Sequence, residues 1–127
     1  MKSTAVSVLF WIAALYDGVL GLVFLFAPGL PFRLFEPTPP NHVGYVQFPA
    51  ALLITFGVMF AAIARDPVGN RNLILYGILL KISYCGVVFF HWFSTGVPWM
   101  WQPFAILDLL FLVLFALAWS RTAPRGR

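Results

Sequence analysis

The chain has 127 residues, of which 61% are hydrophobic and only 9% are charged, and its mean hydropathy is +0.91. Because soluble domains average about 25% charged residues, this composition excludes an ordinary water-soluble fold and indicates a protein that lives in lipid. The net charge of +4 does not indicate nucleic-acid binding, since the basic residues stand at the ends of apolar segments.

Four apolar segments are long enough to cross a bilayer, which takes about 20 apolar residues in a helix. We therefore predict an all-α fold, an integral membrane four-helix bundle that forms one domain over residues 1–127. In chain order, the predicted helices span about 4–27, 43–64, 73–93 and 99–119. The first follows Lys2 and looks like a secretory signal, but its apolar run continues to Phe26. That run is too long for a typical signal core, so we expect the segment to be retained.

Proline and glycine separate the predicted helices. Ala27-Pro28-Gly29 ends the first helix, Asp66-Pro67 ends the second, and Gly96-Val97-Pro98 divides the third from the fourth. The loop over residues 28–42 is the only long one and carries five prolines, which predicts a stiff outer loop. Two interpretations of this loop stay open, a plain connector and a lid over an outward-facing cavity.

The basic residues predict the orientation in the membrane. Most of them lie at the N-terminus, in the turn between the second and third predicted helices, and in the C-terminal tail. The loop after the first helix has only Arg33, and the loop before the fourth helix has no basic residue. The positive-inside rule therefore predicts that both termini are cytoplasmic. We expect an integral protein of a bacterial cytoplasmic membrane. The basic residues on the predicted cytoplasmic side are Lys2, Arg65, Arg71, Arg121, Arg125 and Arg127.

Three ionisable residues, Asp17, Lys81 and Asp108, lie inside the predicted spans. A charge at bilayer depth costs several kcal/mol unless it is paired or faces a wet cavity, so such residues are functional candidates. At about 1.5 Å per residue, both aspartates lie roughly 13 to 14 Å below the outer face. The backbone of Lys81 lies deeper, but its long side chain can extend along the helix towards the outer face. We predict that the three head groups meet in one layer near the midplane.

The charges of this group do not cancel, because two carboxylates face one ammonium. The least costly arrangement is one ion pair together with a protonated aspartic acid or a bound cation. Two interpretations stay open. The group either fixes the register of the helices or forms a ligand or proton site.

Other polar side chains extend from this centre towards the outer side. Lys81, Tyr84 and His91 share one face of the third helix, and the second and fourth helices add Gln47 and Gln102. We therefore predict an outward-opening site. No catalytic residue is assigned, and we expect no metal site, although Glu36, His42 and His91 fall on the same side. The candidate ligand-binding residues are Asp17, Lys81, Tyr84, Asp108, Gln47, His91 and Gln102.

The single cysteine, Cys85, excludes an internal disulfide and a Cys-x-x-Cys motif. Because it lies among aliphatic residues, we interpret it as inert packing rather than as a nucleophile.

Short motifs resemble those of the DoxX-like family of small four-helix integral membrane proteins. They are Leu15-Tyr16-Asp17-Gly18-Val19-Leu20-Gly21, Gly77-x-x-x-Lys81, Val97-Pro98-Trp99 and Asp108. The resemblance implies a compact four-helix bundle. Some members of that family are subunits of quinone-linked redox enzymes, others are assembly factors for membrane proteins, and many have no assigned role. The lack of a second cysteine puts a thiol-redox role in doubt.

Three functions follow from these observations. The first is a membrane-embedded protein that binds a lipophilic small molecule, quinone- or lipid-like, at the Asp/Lys/Asp centre. A quinone or a bound lipid is the expected cofactor, and membrane lipid is an expected partner. The second is a non-catalytic subunit or assembly partner of a larger membrane complex, and the third is a small proton or cation transporter acting as a homo-oligomer. We expect no enzymatic activity of its own, and any activity would belong to a quinone-linked oxidoreductase.

Overall fold

The computed structural model describes residues 3–35, 41–97 and 99–123. Within these ranges the chain is helical and contains no strand. The predictions that concern Lys2, Glu36, Pro98, Arg125 and Arg127 lie outside the described residues. The helices are α1 (Ser3–Phe26), α2 (Gly29–Phe35), α3 (Gly44–Arg65), α4 (Arg71–Ser94) and α5 (Trp101–Arg121).

Four of these helices, α1, α3, α4 and α5, are long and apolar enough to cross a membrane. This indicates an integral membrane protein, as the composition predicts. Each predicted boundary lies within two residues of the observed one. Because successive long helices run in opposite directions, the bundle has two ends. We call the end with the start of α1, residues 66–70 and the end of α5 the inner end, and the opposite end the outer end.

Within the described ranges, the short helix α2 is the one element that the sequence analysis does not predict. It occupies residues 29–35 of the segment expected to be a stiff loop. Pro31 lies in its first turn, where a missing N–H costs nothing and the fixed φ suits a helix. The prolines that favoured a loop come mainly later, at 37, 39 and 40, outside the described residues. Leu34 and Arg33 of α2 are exposed, so this helix lies at the surface of the outer end.

The long helices form two hairpins, α1 with α3 and α4 with α5, and close backbone approach is most extensive within each hairpin. Small residues allow α1 and α3 to approach closely. A Cβ atom built on Gly21 would lie 2.7 Å from the Ala50 carbonyl oxygen, and one on Gly57 would lie 3.2 Å from the Ala14 carbonyl oxygen. In lipid, helices associate largely through such packing of small residues.

The two hairpins are joined at the inner end by an aromatic core. The rings of Phe10 and Phe115 stack with centroids 4.6 Å apart, and Phe60 lies 5.2 Å from Phe115. All three side chains are fully buried. Gly77 on α4 makes room for this packing, since a Cβ there would lie 2.9 Å from the Phe60 ring. The core therefore closes the inner half of the bundle.

Polar contacts fasten the same end. The Arg71 guanidinium lies 3.5 Å from the centroid of the Trp119 ring, and its Nε donates to the Trp119 carbonyl at 3.0 Å. Asn70 donates to the Ala62 carbonyl at 2.8 Å. In the turn between α3 and α4, the Asp66 carboxylate accepts from the Gly69 N–H at 3.0 Å. These contacts hold the start of α4 against the ends of α3 and α5.

Candidate functional site

The three charged residues of the spans meet at one point between the hairpins. Lys81 Nζ lies 3.2 Å from Asp17 Oδ1 and 3.1 Å from Asp108 Oδ1. It also lies 3.4 Å from Asp17 Oδ2. One ammonium on α4 therefore links a carboxylate on α1 to a carboxylate on α5, as the depths of the three residues predict. We call this group the Asp–Lys–Asp network.

Local sequence explains why these side chains face inward. On α1, Asp17 follows the fully buried Ala13 by four residues, which places both on one face of the helix. On α4, Lys81 lies between Gly77 and Cys85 in a buried stripe with the same spacing. On α5, Asp108 is three residues from the buried Ala105. Small neighbours on each helix leave room for the polar heads.

The two carboxylates are not equivalent. Asp17 is 1% exposed, and both of its oxygens lie within hydrogen-bond distance of the ammonium. Asp108 is 8% exposed and contacts the ammonium through Oδ1 alone. Its other oxygen makes no hydrogen bond to the described part of the chain. Asp108 is therefore the carboxylate with spare capacity to accept a hydrogen bond.

Aromatic rings surround the ammonium on its remaining sides. Lys81 Nζ lies 5.5 Å from the ring centroid of Tyr16, 5.7 Å from that of Phe60 and 5.3 Å from that of Phe111. A cation within about 6 Å of a ring centroid is attracted by the ring quadrupole. Lys81 is 1% exposed, so these rings and the two carboxylates enclose its ammonium.

The structure adds Tyr16, which the sequence analysis does not assign to the site. Its ring packs against Phe111 and Phe104 of α5, at centroid distances of 5.3 and 6.3 Å. Its hydroxyl oxygen is buried and has no hydrogen-bond partner among the described residues. The hydroxyl lies within electrostatic range of Asp108 and Asp17. Adjacent residues of a helix point about 100° apart, so the position of Asp17 does not show where its neighbour points.

Tyr84 is one turn closer to the outer end than Lys81, and it does not contact the network. Its hydroxyl donates to the Trp101 carbonyl at 3.4 Å, and its ring stacks on the Trp101 ring at 6.2 Å. Cys85 is buried beside the network, and its thiol lies 3.8 Å from the Ala105 carbonyl oxygen. Both residues tie α4 to α5.

The other candidate residues lie nearer the outer end of the bundle. Gln47 donates to the Leu25 carbonyl at 3.1 Å and so joins the outer ends of α3 and α1. Gln102 is half-buried in the first turn of α5, and His91 is exposed in the last turn of α4. The structure thus brings together three of the seven candidates, and it places the other four between them and the outer end. No group of three or more His, Cys, Asp or Glu side chains within the described ranges could hold a metal ion.

We compared the chain with family models, curated proteins and solved structures, and none of them matched. The resemblance to the DoxX-like family therefore stays a prediction.

Proposed function

We propose that this protein binds a lipophilic small molecule with a polar head, quinone- or lipid-like, at the Asp–Lys–Asp network. The observation that carries this proposal is the charge of the network. Two buried carboxylates share one ammonium inside helices that are long and apolar enough to span a membrane. Ionisable residues at such depth are costly, and they commonly mark ligand or ion pathways.

The unequal environments of the two aspartates support binding of the ligand head at Asp108. Asp17 is enclosed by its own chain, whereas Asp108 keeps one oxygen free of hydrogen bonds to the described residues. A ligand site in a protein is commonly an apolar pocket with a few converging polar groups. Asp108 supplies a polar group of this kind, and the rings of Tyr16 and Phe111 near Lys81 Nζ supply apolar surface beside it.

The packing of the helices supports an approach from the outer half. The aromatic core of Phe10, Phe60 and Phe115 fills the inner half. In contrast, α1 and α5 approach each other much less closely than the helices within either hairpin do. Tyr16 and Phe104 lie between those two helices, and their rings offer an apolar surface to the tail of a ligand.

A binding assay with three probes tests this proposal. The probes are decylubiquinone, 4-nonylphenol and n-decane, and the purified protein in nanodiscs is titrated with each while its tryptophan fluorescence is recorded. We expect saturable binding of at least one probe with a polar head and none of n-decane. Asp108→Asn should weaken that binding at least about ten-fold, because it replaces a charged acceptor in the site.

The matched control is Leu109→Asn, which places the same amide on the exposed neighbour of Asp108. It should leave the affinity unchanged. The proposal is wrong if neither headed probe saturates, or if a folded Asp108→Asn variant binds as well as the parent protein.

A second function, a non-catalytic subunit or assembly partner, is favoured by a different observation. Lys81 is 1% exposed and already bonded to both carboxylates, and this arrangement locks the two hairpins together without any ligand. Extraction in mild detergent followed by affinity purification distinguishes the two. A stoichiometric protein partner supports the second function, and a pure protein that binds a headed probe supports the first.

A further inference from the structure

Tyr16 and Asp108, which both lie near Lys81, have opposite hydrogen-bonding capacities. The Tyr16 hydroxyl is a buried group without a partner among the described residues, and its proton can be donated. In its ionised form, the Asp108 carboxylate has a free oxygen that can only accept. Both belong to the surroundings of Lys81 Nζ, which lies 5.5 Å from the Tyr16 ring and 3.1 Å from Asp108 Oδ1.

Direct pairing of these two groups would satisfy both, but Tyr16 makes no such bond. A buried polar group without a partner loses the hydrogen bond that water would have given it. Native proteins rarely leave such groups unsatisfied, so each one calls for an explanation. A ligand atom that accepts from Tyr16 and donates to Asp108 would satisfy both at once.

Only some head groups can do this. A hydroxyl accepts one hydrogen bond and donates another, and it carries no charge. A quinone carbonyl can accept from Tyr16, but it has no proton to donate to the Asp108 carboxylate. The lone pairs of the two oxygens would repel each other. An ammonium can donate to Asp108 but offers nothing for the tyrosine proton. The negative charge in excess on the network also favours a donor over an acceptor.

On the basis of the proposed function, we infer that the site selects a lipophilic molecule with a hydroxyl head, such as a phenol, a quinol or a long-chain alcohol. In this inference Tyr16 is a ligand-binding residue that donates to the hydroxyl oxygen, and Asp108 accepts the hydroxyl proton. The tail lies against the Phe104 and Phe111 rings that pack on Tyr16.

The test compares three probes that differ chiefly in the head: 4-nonylphenol, its methyl ether 4-nonylanisole, and decylubiquinone. Dissociation constants are measured in nanodiscs for the parent protein, for Tyr16→Phe and for Asp108→Asn. Tyr76→Phe, a change of the same kind at an exposed position of α4, is the control. We expect the phenol to bind the parent protein at least about ten-fold more tightly than the ether or the quinone, since it alone donates to a carboxylate.

The variants separate the two hydrogen bonds. Tyr16→Phe should weaken phenol binding about five-fold, as expected for loss of a neutral hydrogen bond. Asp108→Asn should remove most of the preference for the phenol over its ether, and Tyr76→Phe should change neither value. If Asp108→Asn does not fold, the ratio of phenol to ether in the parent protein and the effect of Tyr16→Phe still decide the question.

The outcomes distinguish this inference from the proposed function. Equal or tighter binding of decylubiquinone would overturn the hydroxyl preference and leave the proposed binding function in place. A phenol preference that survives both Tyr16→Phe and Asp108→Asn would also overturn it, because the preference would then arise elsewhere. Failure of all three probes to saturate would remove the proposed function, and this inference with it.

Discussion

Replacing Lys81 by methionine removes the charge that holds the Asp–Lys–Asp network together while it keeps a side chain of similar length. Lys81→Met takes away two ion-pair contacts, at 3.1 and 3.2 Å, that join α4 to α5 and to α1. It leaves two buried carboxylates without a counter-charge. The consequence should be a weaker joint between the two hairpins rather than a cavity.

The expected cost follows from the burial of the partners. Removal of one member of a buried ion pair typically costs about 3–5 kcal/mol, because the remaining charge stays uncompensated. Lys81 and Asp17 are each 1% exposed, so little solvent can screen the charge that is left. We therefore expect Lys81→Met to lower the free energy of unfolding by about 3–5 kcal/mol. The triple variant with Asp17→Asn and Asp108→Asn added should recover part of this loss, since it leaves no charge at all.

Equilibrium unfolding in mixed micelles with increasing SDS, followed by far-UV circular dichroism, measures these differences. Ile82→Met is the matched control, because Ile82 is 48% exposed on the same helix. Its effect should stay within about 0.5 kcal/mol, as for other surface substitutions. A loss below about 1 kcal/mol for Lys81→Met would refute the reasoning. So would a triple variant less stable than the single one.

Three further predictions concern the two aspartates, the α1–α3 contact and the inner end. Asp17→Asn and Asp108→Asn should each lower the free energy of unfolding by less than about 2 kcal/mol, and Asp17→Asn should have the larger effect. The double variant leaves the lysine unpaired and should lose about 3–5 kcal/mol or more. Additive losses in the same unfolding assay would contradict this prediction. Gly21→Ala should cost about 1–3 kcal/mol, because its Cβ would lie 2.7 Å from a backbone oxygen of α3. Gly18→Ala, with no atom within 4 Å of the added Cβ, should be tolerated, and equal melting temperatures for the two variants would be evidence against the packing described. Arg71→Lys should lower the free energy of unfolding by about 1 kcal/mol, because an ammonium cannot stack flat on the Trp119 indole as the guanidinium does at 3.5 Å. Unchanged unfolding would show that this contact contributes nothing.

The long helices can be predicted because lipid imposes a simple rule on the sequence. A span must be a continuous apolar helix, and here Pro, Gly and charged residues mark its ends. The short helix α2 escapes prediction, because Pro31 is read as a loop residue although it suits the first turn of a helix. The family resemblance and the orientation in the membrane stay predictions.

The centre of the site is only partly predictable, for a related reason. Depth along a helix follows from counting residues, so the sequence places Asp17, Lys81 and Asp108 in one layer. Rotation about the helix axis depends on which neighbouring residues are small. It becomes clear only in the structure, where Gly57 packs against α1 and Gly77 packs against the Phe60 ring. The same limit hides the position of Tyr16, whose ring packs on Phe104 and Phe111 of α5.

The central claim is that one ammonium inside the bilayer binds two carboxylates, and solid-state NMR in lipid bilayers can measure this directly. The chain contains only two lysines, Lys2 and Lys81, and three aspartates, so labelling with ¹⁵Nζ-lysine and ¹³Cγ-aspartate gives few signals. We predict that one lysine nitrogen correlates through space with the carboxyl carbons of both Asp17 and Asp108, and that Asp66, which lies in the α3–α4 turn, shows no such correlation. A Lys81 nitrogen that correlates with neither carboxylate, or that exchanges its protons freely with bulk water, would contradict the account.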